Sequence, residues 1–243
     1  MMDTALLNIS LLARLLLSHL LADFVFQTKL MVQDRFEKKW HSKWLYVHGI
    51  IAGLLAFIFS GAFDYIWLFI LYTLAHTVID GFKSTGKDDL KYLILDQLVH
   101  MLTLLIVWVL ITGPFRIAGE FQDFELFGTD VWIILIAYTL VIWPSGILIG
   151  KFTMPWRQDE NKKEDEGLAN AGLWIGRFER FLLLTFILLS EYSLVGLLIA
   201  AKSVLRITGD KKASEYIAVG TLLSISIVVI TGVATKWILD LGL

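Results

Sequence analysis

Three histidine–aspartate pairs spaced i, i+4 lie inside apolar segments of this 243-residue chain: His19 and Asp23 in SHLLADFVF, His76 and Asp80 in LAHTVIDGFK, Asp96 and His100 in LDQLVHM. That spacing puts both members of a pair on one helical face. Imidazoles and carboxylates are expensive in apolar surroundings unless they pair, ligate a metal or line a polar cavity. The three segments are therefore expected to be helices that turn these faces toward a common interior.

Composition places those helices in a bilayer. The chain is 57% hydrophobic and 18% charged, with mean hydropathy +0.70, which fits an all-α, polytopic transmembrane bundle of about seven to eight spans. A net charge of −2 gives no field that would favour nucleic acid, and the absence of cysteine excludes thiolate metal sites and disulfides. The first apolar segment lacks a basic start and a small-residue cleavage site, so it reads as a retained span.

In chain order, span 1 covers residues 5–27, with Arg14 alone among its leucines, and a basic loop runs from Lys29 to Lys43. Spans 2 and 3, at 44–60 and 65–80, form a hairpin turned at Gly61. Span 4 covers about 92–112 and is stopped by Gly113 and Pro114, and an acidic loop follows with Glu120, Asp123, Glu125 and Asp130. Span 5, about 131–150, is expected to kink at Pro144. After the polar loop RQDENKKEDEG, residues 172–206 are too long for one crossing of a bilayer of roughly 30 Å. A break near Ser190 to Ser193 gives span 6 at 173–189 and a short span 7 at 194–206, and span 8 covers 216–239. Residues 1–112 read as a four-span domain carrying the pairs, and 113–243 as a second membrane region with three to four spans.

Lysine and arginine collect after spans 1, 3, 5 and 7, while the longest intervening loop is acidic. By the positive-inside rule the basic loops are cytoplasmic and both termini lie outside. The three pairs then share one depth near the cytoplasmic leaflet, where His48, about one turn into span 2, and Lys83 join them. His41, in the basic loop, reads as solvated.

Imidazole and carboxylate together form a ligand set for zinc, and also for manganese or iron, and i, i+4 ligands on bundle helices commonly build such sites. The metal-ligand candidates are His19, His48, His76, Asp80, Asp96 and His100. The catalytic candidates are Asp23, Asp80 and Lys83, the last for a phosphate group. The competing reading is a packing network in which each pair satisfies itself by hydrogen bonding. In the carboxy-terminal half, Glu179, Arg180, Glu191, Lys202, Ser203, Arg206, Glu215, Tyr216, Thr221 and Ser224 read as boundary charges and an internal ionic network, with a cationic head-group pocket as the alternative.

SHLLADFVFQTKLM, LYTLAHTVIDGFK and LDQLVHM resemble the signature of a family of uncharacterised bacterial multi-pass inner-membrane proteins, a domain of unknown function defined on the amino-terminal region. GRFERF, AAKSVLRITGD and EYIAVGTLLS are similar to the carboxy-terminal region of its longer members. The resemblance implies a bacterial inner-membrane location and brings no activity. A partial likeness to membrane-bound metal-dependent hydrolases stops short of their histidine-dense motifs, and HExxH is absent. Two function classes follow from the residues. One is a hydrolase using a divalent metal on a membrane lipid or lipid-linked substrate; the other is a transporter component relaying metal ions or protons.

Overall fold

Each apolar segment is helical, and short polar turns punctuate the helices where capping chemistry requires it. The computed structural model describes residues 2–112, 127–156, 166–205 and 211–242, with side chains from 9–112, 127–156, 171–203 and 218–242. Helix α1 (Met2–Leu21) continues as a π-helical turn, Ala22–Phe26. Then come α2 (Lys29–Lys38), a 3₁₀ turn Lys39–His41, α3 (Lys43–Ser60), α4 (Ile66–Ser84) and α5 (Leu90–Thr112). The remaining helices are α6 (Thr129–Ile142), α7 (Pro144–Thr153) with a 3₁₀ turn Met154–Trp156, α8 (Glu166–Leu188), α9 (Tyr192–Leu205) and α10 (Lys211–Asp240). Gly113, Pro114, the acidic residues from Glu120 to Glu125, residues 157–165 of the RQDENKKEDEG loop, and Arg206 lie outside the described residues, as do the side chains of Glu215 and Tyr216.

Six helical segments among the described residues are long and apolar enough to cross a membrane: Ile9–Phe26, Lys43–Ser60, Ile66–Ser84, Leu90–Thr112, Thr129–Trp156 and Ala218–Asp240. This corrects the expected seven to eight. The shortfall lies in α8 and α9. Helix α8 has 23 residues but carries Arg177, Glu179 and Arg180 in its middle, and α9 has 14 residues, about 21 Å of helix at 1.5 Å per residue.

The break between them falls where the sequence placed it. Ser190 takes φ 62°, and the Glu191 amide donates to the Phe186 carbonyl at 2.8 Å, a six-to-one bond that closes a helix end. Gly61, at φ 68°, ends α3 with its amide donating to the Ile58 carbonyl at 3.2 Å and turns the α3–α4 hairpin. The basic loop is not irregular. Thr28 accepts from the Met31 amide at 3.3 Å and starts α2, and Lys39 at φ 53° stops it. Outside the spans, hydrogen bonds from Lys38 and Ser42 hold the Asp34 carboxyl below its usual range.

The chain divides into two compact units, one ending at Ile136 and the other beginning at Ala137. In the first, α1 packs on α3 and α5, and α4 packs on α3 and α5. Its core contains Leu11, Leu15, Ala52, Ala56, Leu68, Tyr72, Leu104 and Val107. The α3–α4 contact is close because Gly49 and Gly53 present bare backbone: a Cβ at Gly49 would stand 1.9 Å from Thr77 Oγ1, and one at Gly53 2.0 Å from Thr73 Oγ1. This is the small-xxx-small device by which membrane helices approach. Gly49→Val is expected to force the pair apart, costing about 1–3 kcal/mol and lowering the thermal unfolding midpoint by several degrees. Thermal unfolding in detergent checks this, and an unchanged midpoint would contradict the packing described.

In the second unit, α8 packs on α7, α9 and α10 around Val141, Leu184, Ile187 and Val228. At the expected Pro144 kink the helix is interrupted at one residue: α6 ends at Ile142 and Pro144 opens α7, while the Trp143 amide still donates to Thr139 and the Ile147 amide to Trp143. Buried Arg180 covers the freed carbonyls, donating from Nε to Val141 at 2.5 Å and from an Nη to Ile142 at 3.0 Å. Glu179 pairs with Lys202 across α8 and α9. Of the expected ionic network these contacts show the Glu179–Lys202 pair, whereas Arg180 bonds backbone carbonyls.

Candidate functional site

Helix α1 with its π turn, α3, α4 and α5 each send histidine or aspartate into one cavity, and α2 adds a cation. His19, His48, His76 and His100 are all at most 1% exposed, and Asp23, Asp80 and Asp96 are buried with them. The π turn matters locally: a one-residue expansion of the helix at 22–26 re-aims Asp23, and such turns recur at functional sites.

None of the three i, i+4 pairs closes a hydrogen bond between its two side chains. His19 Nδ1 stands 3.8 Å from Asp23 Oδ1, His76 Nε2 3.8 Å from Asp80 Oδ2, and His100 Nδ1 3.6 Å from Asp96 Oδ1. Within the third pair His100 Nδ1 lies 2.9 Å from the Asp96 backbone carbonyl oxygen, and the close side-chain partners come from other helices. His48 Nε2 lies 3.1 Å from His76 Nε2, 3.3 Å from Asp23 Oδ1 and 3.4 Å from Asp80 Oδ2. His76 Nε2 lies 3.2 Å from Asp23 Oδ1. Three donors from three helices thus form a triangle with sides of 3.1, 3.2 and 3.3 Å.

Two residues absent from the sequence-based site shape its charge and orientation. Arg35 of α2 is buried and pairs directly with Asp80. Half-buried Gln97 of α5 donates from Nε2 to Asp23 Oδ2 at 3.0 Å and to Asp96 Oδ2 at 3.1 Å, while its Oε1 meets His19 Nε2 at 3.1 Å. Lys83 donates to Asp96 Oδ2 at 2.5 Å, with its side chain 12% exposed at the rim. His41 is exposed and apart from the cavity. All the other sequence-predicted residues are brought together. The signals for the two missed residues were present. Thr28, with Asp34 and Lys38 at i, i+4, marks α2 as a helix, and Gln97 lies next to Asp96 in LDQLVH.

Counting full charges, Asp23, Asp80 and Asp96 contribute −3, Arg35 and Lys83 contribute +2, and neutral imidazoles contribute nothing. The cavity is left at −1, and Asp23 is the carboxylate without a lysine or arginine. A buried carboxylate without a cationic partner must take a proton, accept hydrogen bonds, as Asp23 does from Gln97, or meet an imidazolium or a metal ion. Three donor groups have the spacing to hold an ion: His19, Asp23 and His76; His48, His76 and Asp80; Asp23, Asp96 and His100, each with ligand atoms within 4.8 Å of one another.

No curated protein and no solved structure matches the chain. The model of a family described as "Protein of unknown function (DUF3307)" matches residues 11–123, a stretch that contains every residue of the cavity from His19 to His100.

Proposed function

We propose that this cavity is a divalent-metal centre and that the protein is a metal-dependent hydrolase acting on a lipid or lipid-linked substrate at the cytoplasmic leaflet. The observation that carries the reading is the triangle of His48 Nε2, His76 Nε2 and Asp23 Oδ1, with sides of 3.1–3.3 Å. Ligands around a tetrahedral ion with bonds of about 2.0–2.1 Å stand about 3.3–3.4 Å apart. Nitrogen and oxygen donors without sulfur suit zinc first, and also manganese or iron. A bound ion would supply Lewis acidity and lower the pKa of a coordinated water. Asp80, beside His48 and with Oδ1 lacking a hydrogen-bond partner, is positioned to take a proton. Lys83 at the rim is the cation for a phosphate group.

The rival reading, a structural polar network, is favoured by the Arg35–Asp80 and Lys83–Asp96 pairs, which neutralise two of the three aspartates without a metal. Release of product from lipid phosphates by metal-loaded wild type, lost in Asp23→Asn, supports the hydrolase. Metal flux in liposomes without turnover would replace it with transport.

The cytoplasmic assignment does not depend on whether α8 and α9 span. They form a pair, so crossing or not crossing returns the chain to the same side, and the lysines flanking α10 keep the sidedness of those after α4. The turn after α4 is therefore expected to be cytoplasmic. Lys87→Cys tests this in a chain with no native cysteine; Lys87 is exposed, whereas nearby Ser84 is buried. Labelling only after the membrane is permeabilised is the expected result, and labelling of intact cells by an impermeant thiol reagent would refute it.

A further inference from the structure

The cavity holds more donors than one ion can use. Of the four histidines and three aspartates, six fall into two groups with no residue in common, His48 with His76 and Asp80, and Asp23 with Asp96 and His100, while His19 groups with Asp23 and His76, one residue from each. Asp23 Oδ1 faces both, since it stands 3.3 Å and 3.2 Å from the Nε2 atoms of His48 and His76. We propose that the centre is dinuclear, with a second divalent ion on His100, Asp96 and His19 and with Asp23 bridging the two. This rests on the metal-centre reading above.

The hydrogen bonds around the second group decide which atoms are free. His100 Nδ1 lies 2.9 Å from the Asp96 carbonyl oxygen, an acceptor, so Nδ1 carries the proton and Nε2 keeps a bare lone pair. Gln97 donates its amide nitrogen to two carboxylates, which leaves its oxygen as the acceptor for His19 Nε2–H. His19 therefore keeps its lone pair on Nδ1. The tautomers follow from the hydrogen-bond network. Asp96 Oδ2 is occupied by Lys83 and Gln97, which leaves Oδ1. Of the four atoms so selected, His19 Nδ1, His100 Nε2 and Asp96 Oδ1 are buried and lack a hydrogen-bond partner among the described residues, and Asp23 Oδ1, buried with them, faces the His48 and His76 nitrogens of the first site. His19 stacks on His100 with centroids 5.0 Å apart. A backbone carbonyl on one imidazole and a glutamine on the other are the outer contacts that orient metal-binding histidines.

Charge sets the conditions under which the second ion loads. From −1, one dication brings the cavity to +1 and two bring it to +3, an excess a buried site does not hold without an anion. Two ions about 3.5–4 Å apart clamp the oxygens of a phosphate group. The second ion is therefore expected to load together with inorganic phosphate, used as the probe for a phosphorylated substrate.

Manganese serves as both ligand and reporter. Purified wild type equilibrated with manganese and inorganic phosphate is expected to hold about two ions per chain, and its electron paramagnetic resonance spectrum should show the pair exchange-coupled. His100→Gln should leave about one ion and abolish the coupling, with an unchanged elution profile as the check on folding. One ion in wild type at saturating phosphate, or two with the uncoupled hyperfine pattern of isolated ions, overturns the dinuclear assignment while leaving a single metal centre. No bound ion overturns the metal reading beneath it as well.

Discussion

Replacing Arg35 with alanine is expected to destabilise the protein more than any other single change outside the metal-ligand set. The side chain is 2% exposed and pairs with Asp80, itself 1% exposed. Removing one member of a buried ion pair strands the other charge, at a cost of about 3–5 kcal/mol, which is comparable with the whole stability of many domains. Surface pairs provide the contrast: Lys38 and Asp34 also pair, but the Lys38 side chain is 58% exposed, and Lys38→Ala should leave stability close to that of wild type. The double variant Arg35→Met with Asp80→Asn removes both charges and should recover most of the loss. Denaturation in detergent, read by circular dichroism and gel filtration, distinguishes these outcomes. An Arg35→Ala protein as stable as wild type would mean that the pair does not hold α2 over the cavity.

The second large effect concerns metal retention rather than stability. His76 lies in two of the three donor groups, with Nε2 3.1 Å from His48 Nε2 and 3.2 Å from Asp23 Oδ1. His76→Ala is therefore expected to abolish tight metal binding in the first site. It also leaves buried partners unpaired, at about 1–3 kcal/mol, so loss of stability alone does not identify a ligand. Asp23→Asn separates the two effects, because the amide keeps hydrogen-bonding capacity while removing the only carboxylate without a lysine or arginine partner. Metal analysis of Asp23→Asn should show loss of bound ion in protein that still elutes as wild type. Retention of the full metal complement in both variants would place any ion elsewhere.

The parts of the site that the sequence made legible share one property: they are local. The i, i+4 spacing of His19 with Asp23, His76 with Asp80 and Asp96 with His100 reports a helical face, and loop chemistry reported the Gly61 hairpin and the Ser190 break. What escaped depends on long-range packing. His48 is legible as a candidate from its depth in span 2, but its central place among the donors follows from Gly49 and Gly53, which let α3 settle on Thr73 and Thr77 of α4. Arg35 was hidden in a stretch that reads as a basic loop, although Thr28 caps a helix there. Its partner, Asp80, is 45 residues away. The span count missed for a related reason. Hydropathy counts α8 and α9 as apolar stretches, while the charges at 177–180 and the 14-residue length of α9 show their effect only when the helices are drawn to scale.

The central claim is that the cavity holds a divalent cation on histidine nitrogen and aspartate oxygen. The most direct measurement is elemental analysis of wild-type protein purified without chelator and equilibrated separately with zinc, manganese and iron(II), with X-ray absorption at the metal edge reporting the ligands. The account predicts at least one ion per chain, bound through nitrogen and oxygen donors, and its loss in His76→Ala. Wild-type protein that holds no stoichiometric metal under any of the three conditions would contradict it and leave the seven residues as a polar network.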